Sequence, residues 1–357
     1  MKKNIAVLEG DGIGPEVINE AIKVLDIISK NRNIKFVYNK ALVGATAINH
    51  KGHPFPEETK TICKSSDAIL FGAIGDPKYD NNPKAKIRPE DGLLEMRKFL
   101  DLYANIRPVK TYDSLIESSP LKKKIIQDVD FIVYRELTGG IYFGDKGIIE
   151  NGNKAYDTST YTINEIKRIS NLAFLESKKR KSKLTLVDKA NVLSTSRLWR
   201  EVVQNLSRNN FPEVSVDYLF VDNAAMKIIT NPSDFDIILT ENMFGDIITD
   251  EASVITGSLG MLPSASIGNS ISLFEPIHGS YPQAAGKNIA NPMAMILSAA
   301  MMLNLSFNMS KEEKIIQIAI NDALEKGIVT KDINADHYYK TNEVGDWISN
   351  RVDELSA

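Results

Sequence analysis

The chain has almost no cysteine: Cys63 stands alone among 357 residues. A lone cysteine closes no intrachain disulfide, which fits a reducing cytoplasm, and it reads as a small buried apolar residue. Four histidines beside a single cysteine are few, and no histidine-based zinc centre is expected. Charge of one sign is not in excess. The net charge of −3 offers no bulk attraction to nucleic acid or an anionic membrane, so neither is expected as a partner. An anionic substrate would have to be held by local arginines. No apolar run approaches the roughly 20 residues of a membrane span. The run at residues 5–8 ends at Glu9 and Asp11, too soon for a signal-peptide core. Repeats and low-complexity tracts are absent, and a cytoplasmic location is expected.

What is present is a soluble globular composition, 43% hydrophobic and 25% charged, at a length that allows one large or two ordinary domains. Residues 5–8 read as a strand, followed by a glycine turn and a helix that begins near Pro15. Further strands are expected at 68–71, 131–134, 184–187, 216–221 and 237–240. Helices are expected at 164–177, 195–206, 245–256, 292–304 and 312–326, with another around Leu93, Leu94, Met96 and Leu100. Alternating strands and helices indicate an α/β fold. The polar stretch 144–162 reads either as an exposed hairpin or as a β-arm that pairs with a partner subunit. The basic run 178–183 reads as a solvated helix end.

The turn Gly10-Asp-Gly-Ile-Gly14 does not satisfy the dinucleotide fingerprint. That motif needs its third glycine one place later and an acidic residue about 20 positions on. Other strings carry more chemistry. Asp246 and Asp250 are spaced i, i+4, which puts two carboxylates on one helix face, within reach of a hard divalent cation. A solvated helix face would show the same spacing, but Phe244, Ile247 and Ile248 make this helix apolar as well. Arg97, Arg107 and Arg135 each sit among apolar residues, and an arginine fork binds carboxylate bidentately. A structural ion pair is the ordinary alternative for each. Lys189 follows a strand, where α/β enzymes place ligands, and Tyr142 lies among glycines. Either can move protons, and either can be a surface or packing residue. The stretch 275–292, rich in Gly, Pro and Asn, offers backbone amides of the kind nucleotide sites use.

Taken together, the strings LLEMRK, ANIRPVK, RELTGGIYFG, VDKANVL, FVDNAAM and ENMFGDIITDE resemble those of the β-decarboxylating dehydrogenases, and within them the branch acting on 3-isopropylmalate. The resemblance runs almost end to end. It implies two α/β domains, the first discontinuous at about 1–103 and 257–357 and the second at 104–256. It also implies a homodimer whose active sites borrow residues across subunits, with an intersubunit arm near 148–162. Lys189 and Asp222 match the borrowed positions. Arg97, Arg107 and Arg135 would hold the malate carboxylates, and Asp222, Asp246 and Asp250 would hold Mg²⁺ or Mn²⁺ and the substrate beside it. Lys189 would take the hydroxyl proton and Tyr142 would protonate the enol. NAD would contact Ile13, Gly75, Glu275, His278, Gly279, Ser280, Gln283, Ala284 and Asn291.

Glu90, Leu93, Leu94 and Val192 match the pocket for the group at C3 of the substrate. An apolar pocket suits an isopropyl group and penalises a third carboxylate. D-malate, tartrate or homoisocitrate activity, or a non-catalytic paralogue, are the competing expectations. One departure concerns the cofactor loop, which reads Gly279-Ser-Tyr-Pro-Gln283 where NAD-using relatives carry an aspartate. Glutamine can still bond a ribose hydroxyl, but it does not repel a 2′-phosphate.

Overall fold

The computed structural model describes residues 2–80 and 85–356. Two compact units form, Met1–Leu102 with Gly257–Ala357, and Tyr103–Thr256. Met1 and Ala357, the outer limits of the expected first domain, lie outside the described residues. The first unit opens with β1 (Lys2–Gly10), α1 (Gly14–Arg32), β2 (Lys35–Lys40), α2 (Gly44–Lys51), α3 (Glu57–Lys64), β3 (Ala68–Ala73), α4 (Pro77–Asp80) and α5 (Pro89–Phe99). The second carries β4 (Leu102–Lys110), α6 (Lys123–Ile126), β5 (Asp130–Glu136), β6 (Lys146–Ile149), β7 (Lys154–Asp157), α7 (Ile163–Lys179), β8 (Lys183–Asp188), α8 (Ser194–Asn210), β9 (Ser215–Phe220), α9 (Val221–Thr230), β10 (Ile237–Thr240) and α10 (Asn242–Thr256). The chain returns to the first unit with β11 (Pro263–Gly268), β12 (Ser272–Pro276), α11 (Met293–Phe307), α12 (Ser310–Glu325) and α13 (Thr341–Ser356).

In the first unit the strands run in the order β2-β1-β3-β12-β11. β1 is parallel to β2 and β3, β12 is parallel to β3, and β11 is antiparallel to β12. The sequence Ala-Ile-Leu-Phe-Gly-Ala of β3 is buried throughout, as expected for an inner parallel strand covered on both faces. Phe55, Phe71, Met96 and Leu273 join its core, with Cys63 fully buried among them. Burial pushes the Cys63 thiol up to about 12, so it stays protonated and inert. Helix α11 is buried on every side from Met293 to Leu303, which explains why its sequence is apolar all round.

The second unit has the order β4-β5-β10-β8-β9. Only β4 is antiparallel to its neighbour; β5, β10, β8 and β9 all run parallel. Helix α7 covers β5, β8 and β10, and α10 packs on β5. A capping box starts α7: the Thr162 hydroxyl accepts from the Glu165 amide, and the Glu165 carboxylate accepts from the Thr162 amide at 2.7 Å.

The expected strands at 5–8, 68–71, 131–134, 184–187 and 237–240 all fall inside observed ones. The expected strand at 216–221 ends one residue early, because Val221 opens α9. The expected helix at 245–256 begins three residues sooner, at Asn242. The polar stretch 144–162 contains a two-stranded hairpin, β6 against β7, with Ile148, Ile149 and Tyr156 exposed. The basic run 178–183 is only partly a solvated helix end. Arg180 bonds Asp236 at 2.7 Å and Asp130 at 2.8 Å, tying the end of α7 to the strand layer, and Lys183 opens β8.

Candidate active site

In the second unit, β4 presents Asn105 and Arg107 two residues apart, hence on one face. Asn105 stands opposite Arg135 of β5, so all three side chains share that face. The Arg107 Nε donates to the Asn105 side-chain oxygen at 2.6 Å, and its Nη1 donates to the Thr249 hydroxyl at 2.5 Å. Arg135 is held in the same manner. Its Nε and Nη2 donate to the Asn242 side-chain oxygen at 3.1 and 2.8 Å, and its Nη1 pairs with Asp246. Both guanidinium groups are buried, and these partners offset the cost of taking a charge out of water.

Helix α10 supplies the carboxylates. Gly245 lets it lie flat on β5: a Cβ there would stand 2.6 Å from the Arg135 Cγ. Asp246 and Asp250 follow one turn apart. Arg107 lies 3.6 Å from Asp246 and 3.7 Å from Asp250. Tyr142, in the short 3-10 turn Gly140–Tyr142, donates its hydroxyl to the second Asp246 oxygen at 3.0 Å. Burial pushes the Asp250 carboxyl above its ordinary range; Arg107 opposes that rise and the Asp246 charge adds to it. Two hard oxygen donors that repel each other on one helix face fit a divalent cation.

Lys189 and Asp222 form a second group in this unit. Lys189 directly follows β8, Asp222 lies in the first turn of α9, and the ammonium donates to the carboxylate at 2.5 Å. That hydrogen bond holds the Asp222 carboxyl below its ordinary range. Among the described residues, no three His, Cys, Asp or Glu side chains form a group able to hold a metal. Asp222 therefore does not join Asp246 and Asp250 within a single chain. Val192 is exposed on the loop after Lys189, its amide 3.0 Å from the Lys189 carbonyl.

The first unit holds the remaining candidates. Glu90, Leu93, Leu94 and Arg97 are spaced i, i+3, i+4, i+7 and share one face of α5. Leu93 also packs on the core, so part of its apolar character is structural. Arg97 is buried 3.5 Å from Glu275, and its Nε has no hydrogen-bond partner among the described residues.

Around the strand ends of this unit, Asp11 accepts from the amides of Ala45, Thr46 and Gly75, which clamps the glycine turn to two other loops. The Ile13 amide donates to the Ser280 carbonyl at 2.9 Å. Gly12, at φ +59°, passes so close that a Cβ would meet that carbonyl oxygen at 1.9 Å. Gly75, at φ +117°, faces Glu90 and Ser280. These contacts bring Ile13, Gly75, Glu90 and Ser280 together. His278 Nδ1 lies 3.0 Å from the Gly279 carbonyl, while Nε2 is buried without a partner among the described residues; burial lowers the ring's pKa. Gln283 is exposed on the turn Pro282–Ala284, and Ala284 is buried beneath it. Asn291 bonds Asp332 at 3.1 Å and caps the Met293 amide at 3.0 Å.

Sequence reasoning passed over Asn105, Asn242 and Thr249, the three uncharged residues that hold the arginines. A signal existed. Extending the Asp246–Asp250 spacing one turn back gives Asn242, and Asn105 precedes Arg107 by the two-residue strand period. No described helix is long and apolar enough to cross a membrane.

The sequence profile described as "Isocitrate/isopropylmalate dehydrogenase" matches residues 4–348. The 3-isopropylmalate dehydrogenase of Aquifex aeolicus is 53% identical over 99% of both chains. That of Bacteroides fragilis is 52% identical over 98% of both. Among solved structures, isocitrate dehydrogenase from Methylococcus capsulatus superposes with a TM-score of 0.89 at 30% identity, covering 98% of this chain and 99% of that one. A β-decarboxylating dehydrogenase from Thermococcus kodakarensis gives 0.79 at 33% identity, covering 99% and 96%. Sequence along the whole length and fold in both units thus agree: this chain belongs to the isocitrate/isopropylmalate dehydrogenase family of oxidoreductases.

Proposed function

We propose that this chain oxidises and decarboxylates (2R,3S)-3-isopropylmalate to 4-methyl-2-oxopentanoate in leucine biosynthesis, using NAD and Mg²⁺ or Mn²⁺, as a cytoplasmic homodimer. One observation carries the reading. Arg107, Arg135, Tyr142, Asp246 and Asp250 lie together in a chain more than half identical, nearly end to end, to proteins named for that reaction.

Arg107 and Arg135 hold substrate carboxylate in this reading, and the buried Nε of Arg97, without a partner among the described residues, suits another carboxylate oxygen. Asp246 and Asp250 are the cation ligands of one subunit, with Asp222 contributed across the dimer. Held there, a divalent cation would supply Lewis-acid polarisation of the C2 oxygen, and NAD would supply the acceptor for the C2 hydride. Lys189 takes the hydroxyl proton as that hydrogen leaves. The C3 carboxylate then departs as carbon dioxide; its bonding pair forms the C2–C3 double bond as the C2 carbonyl pair moves onto oxygen, giving the enolate. Tyr142 delivers a proton to C3, and its hydroxyl is already aligned by Asp246.

Leu93 and Leu94 on one face of α5, with Val192, favour the isopropyl group over a third carboxylate. His278 Nε2, which has no partner among the described residues, Ser280 and the exposed Gln283 are suited to bind the adenosine end of the cofactor. The β6–β7 hairpin, with its exposed Ile148 and Tyr156, is the arm that pairs between subunits.

The test is absorbance of reduced nicotinamide with purified protein, Mg²⁺ or Mn²⁺, and racemic 3-isopropylmalate, with D-malate, isocitrate and NADP run beside it. Metal-dependent turnover that favours 3-isopropylmalate and NAD is expected. Faster turnover of isocitrate or D-malate refutes the substrate, and equal rates with NADP refute the cofactor preference.

A further inference from the structure

Asn242 opens α10 at the C-terminal end of β10 and is 1% exposed. Its side-chain oxygen accepts from two nitrogens of Arg135, at 3.1 and 2.8 Å. Its side-chain nitrogen donates to the Gly139 carbonyl at 3.1 Å, and its backbone amide donates to the Tyr161 hydroxyl at 2.9 Å. Gly139 directly precedes the turn that carries Tyr142. One neutral side chain therefore touches the arginine on β5, the turn after β5, and, through its own backbone, the helix bearing Asp246 and Asp250.

Tyr161 completes the frame. Burial drives its phenol well above the ordinary range, so it stays protonated and serves as the acceptor for the Asn242 amide. Its ring lies edge-on to Trp199 at 5.4 Å. Gly139 and Gly140 leave it room: a Cβ on Gly140, at φ +75°, would meet the Tyr161 oxygen at 2.3 Å. The frame thus fixes Asn242, and Asn242 fixes the angle of the Arg135 fork. An aspartate in its place would repel the Gly139 carbonyl, and an alanine would leave three buried polar atoms without this partner.

We propose that Asn242 is a positioning residue for the reaction. By bonding Arg135 and Gly139 at once, it holds the carboxylate-binding guanidinium in register with the proton-donating Tyr142. The inference rests on the roles given above to Arg135 and Tyr142. It predicts that the two halves of the Asn242 amide are separable. The oxygen sets substrate grip through Arg135, and the NH₂ sets proton delivery through the 139–142 turn.

The experiment measures kcat and KM for Asn242→Ala and Asn242→Asp, and for each combined with Arg135→Lys. The cycle is run on whichever of 3-isopropylmalate, isocitrate or D-malate the wild-type chain turns over. A wrong substrate assignment then shows in the wild-type protein, and a wrong role for Asn242 only in the variants. Asn242→Ala is expected to raise KM about tenfold and lower kcat about tenfold or more. Asn242→Asp, which keeps the acceptor for Arg135, is expected to recover most of KM while kcat stays low. The Ala effect on KM should largely vanish in the Arg135→Lys background, while its loss in kcat persists. Parallel losses in kcat and KM for both variants, or an Ala effect on KM that adds fully to that of Arg135→Lys, would overturn the proposal. Should Asn242→Ala fail to fold, Asn242→Asp decides alone. A kcat loss of tenfold or more with KM within threefold supports the role, and any other pattern refutes it.

Discussion

The hydroxyl of Tyr142 donates to Asp246 at 3.0 Å, on the carboxylate whose other oxygen pairs with Arg135. In the proposed reaction, the hydroxyl that would supply the proton at C3 is therefore oriented by the same carboxylate that would face the cation. Replacing Tyr142 with phenylalanine keeps the ring but removes this proton. A general acid contributes about 10²–10⁴ in rate. Tyr142→Phe is thus expected to lower kcat at least a hundredfold while KM stays within a few-fold, as read from initial rates. Wild-type kcat in that variant would remove Tyr142 from the chemistry.

Glu241 precedes α10 and is 6% exposed, with one carboxyl oxygen unpartnered among the described residues. Burial, then the charges of Asp188 and Glu136, push its pKa from 4.5 to about 7. The folded state holds this proton more tightly than the unfolded chain does. The resulting stability is complete below about pH 4.5 and is lost as pH rises through 7. The difference corresponds to about 3 kcal/mol. Glu241→Gln, neutral at every pH, should melt above the wild type at pH 8.5, and the gap should close toward pH 5. A gap that does not change with pH between 5 and 8.5 would refute the assignment.

Gly245 is required by close approach. An alanine Cβ would lie 2.6 Å from the Arg135 Cγ and 2.8 Å from its Cβ. Either α10 lifts from β5 or Arg135 shifts, and overpacking of this kind costs roughly 1–3 kcal/mol. Gly245→Ala should lower the melting temperature and also raise KM for substrate, because the arginine carries the displacement. A lower melting temperature with wild-type KM would show that the helix yields and the arginine does not.

The fold class was legible because β1, β3, β5, β8 and β10 are short apolar runs separated by helical periodicity, which is the signature of inner parallel strands. Elements that escaped notice lacked that signature. In β4, Asn105 and Arg107 interrupt the apolar pattern, for they point into the site. In β2, half-buried residues blur the alternation. Charged site residues drew notice through their company, an arginine between Ile106 and Pro108 or a lysine at a strand end, although each alone also fitted an ion pair or a surface position. Asn242, Asn105 and Thr249 did not, because an uncharged polar residue looks ordinary until its buried partner is known. Arg180 misled for the converse reason. Its run of lysine neighbours suggested solvent, whereas its own partners, Asp130 and Asp236, lie 50 and 56 residues away along the chain.

The pairing of Arg107 and Arg135 with Asp246 and Asp250 has a consequence for how ligands enter. Two positive and two negative charges already cancel. A substrate dianion arriving alone would tip this balance toward repulsion from the aspartates, and a dication alone would tip it toward repulsion from the arginines. Arriving together they leave the local charge at zero, each relieving the strain that the other would create. In the proposed reading the site therefore prefers the pair over either member, and affinity for substrate and affinity for cation would rise and fall as one quantity.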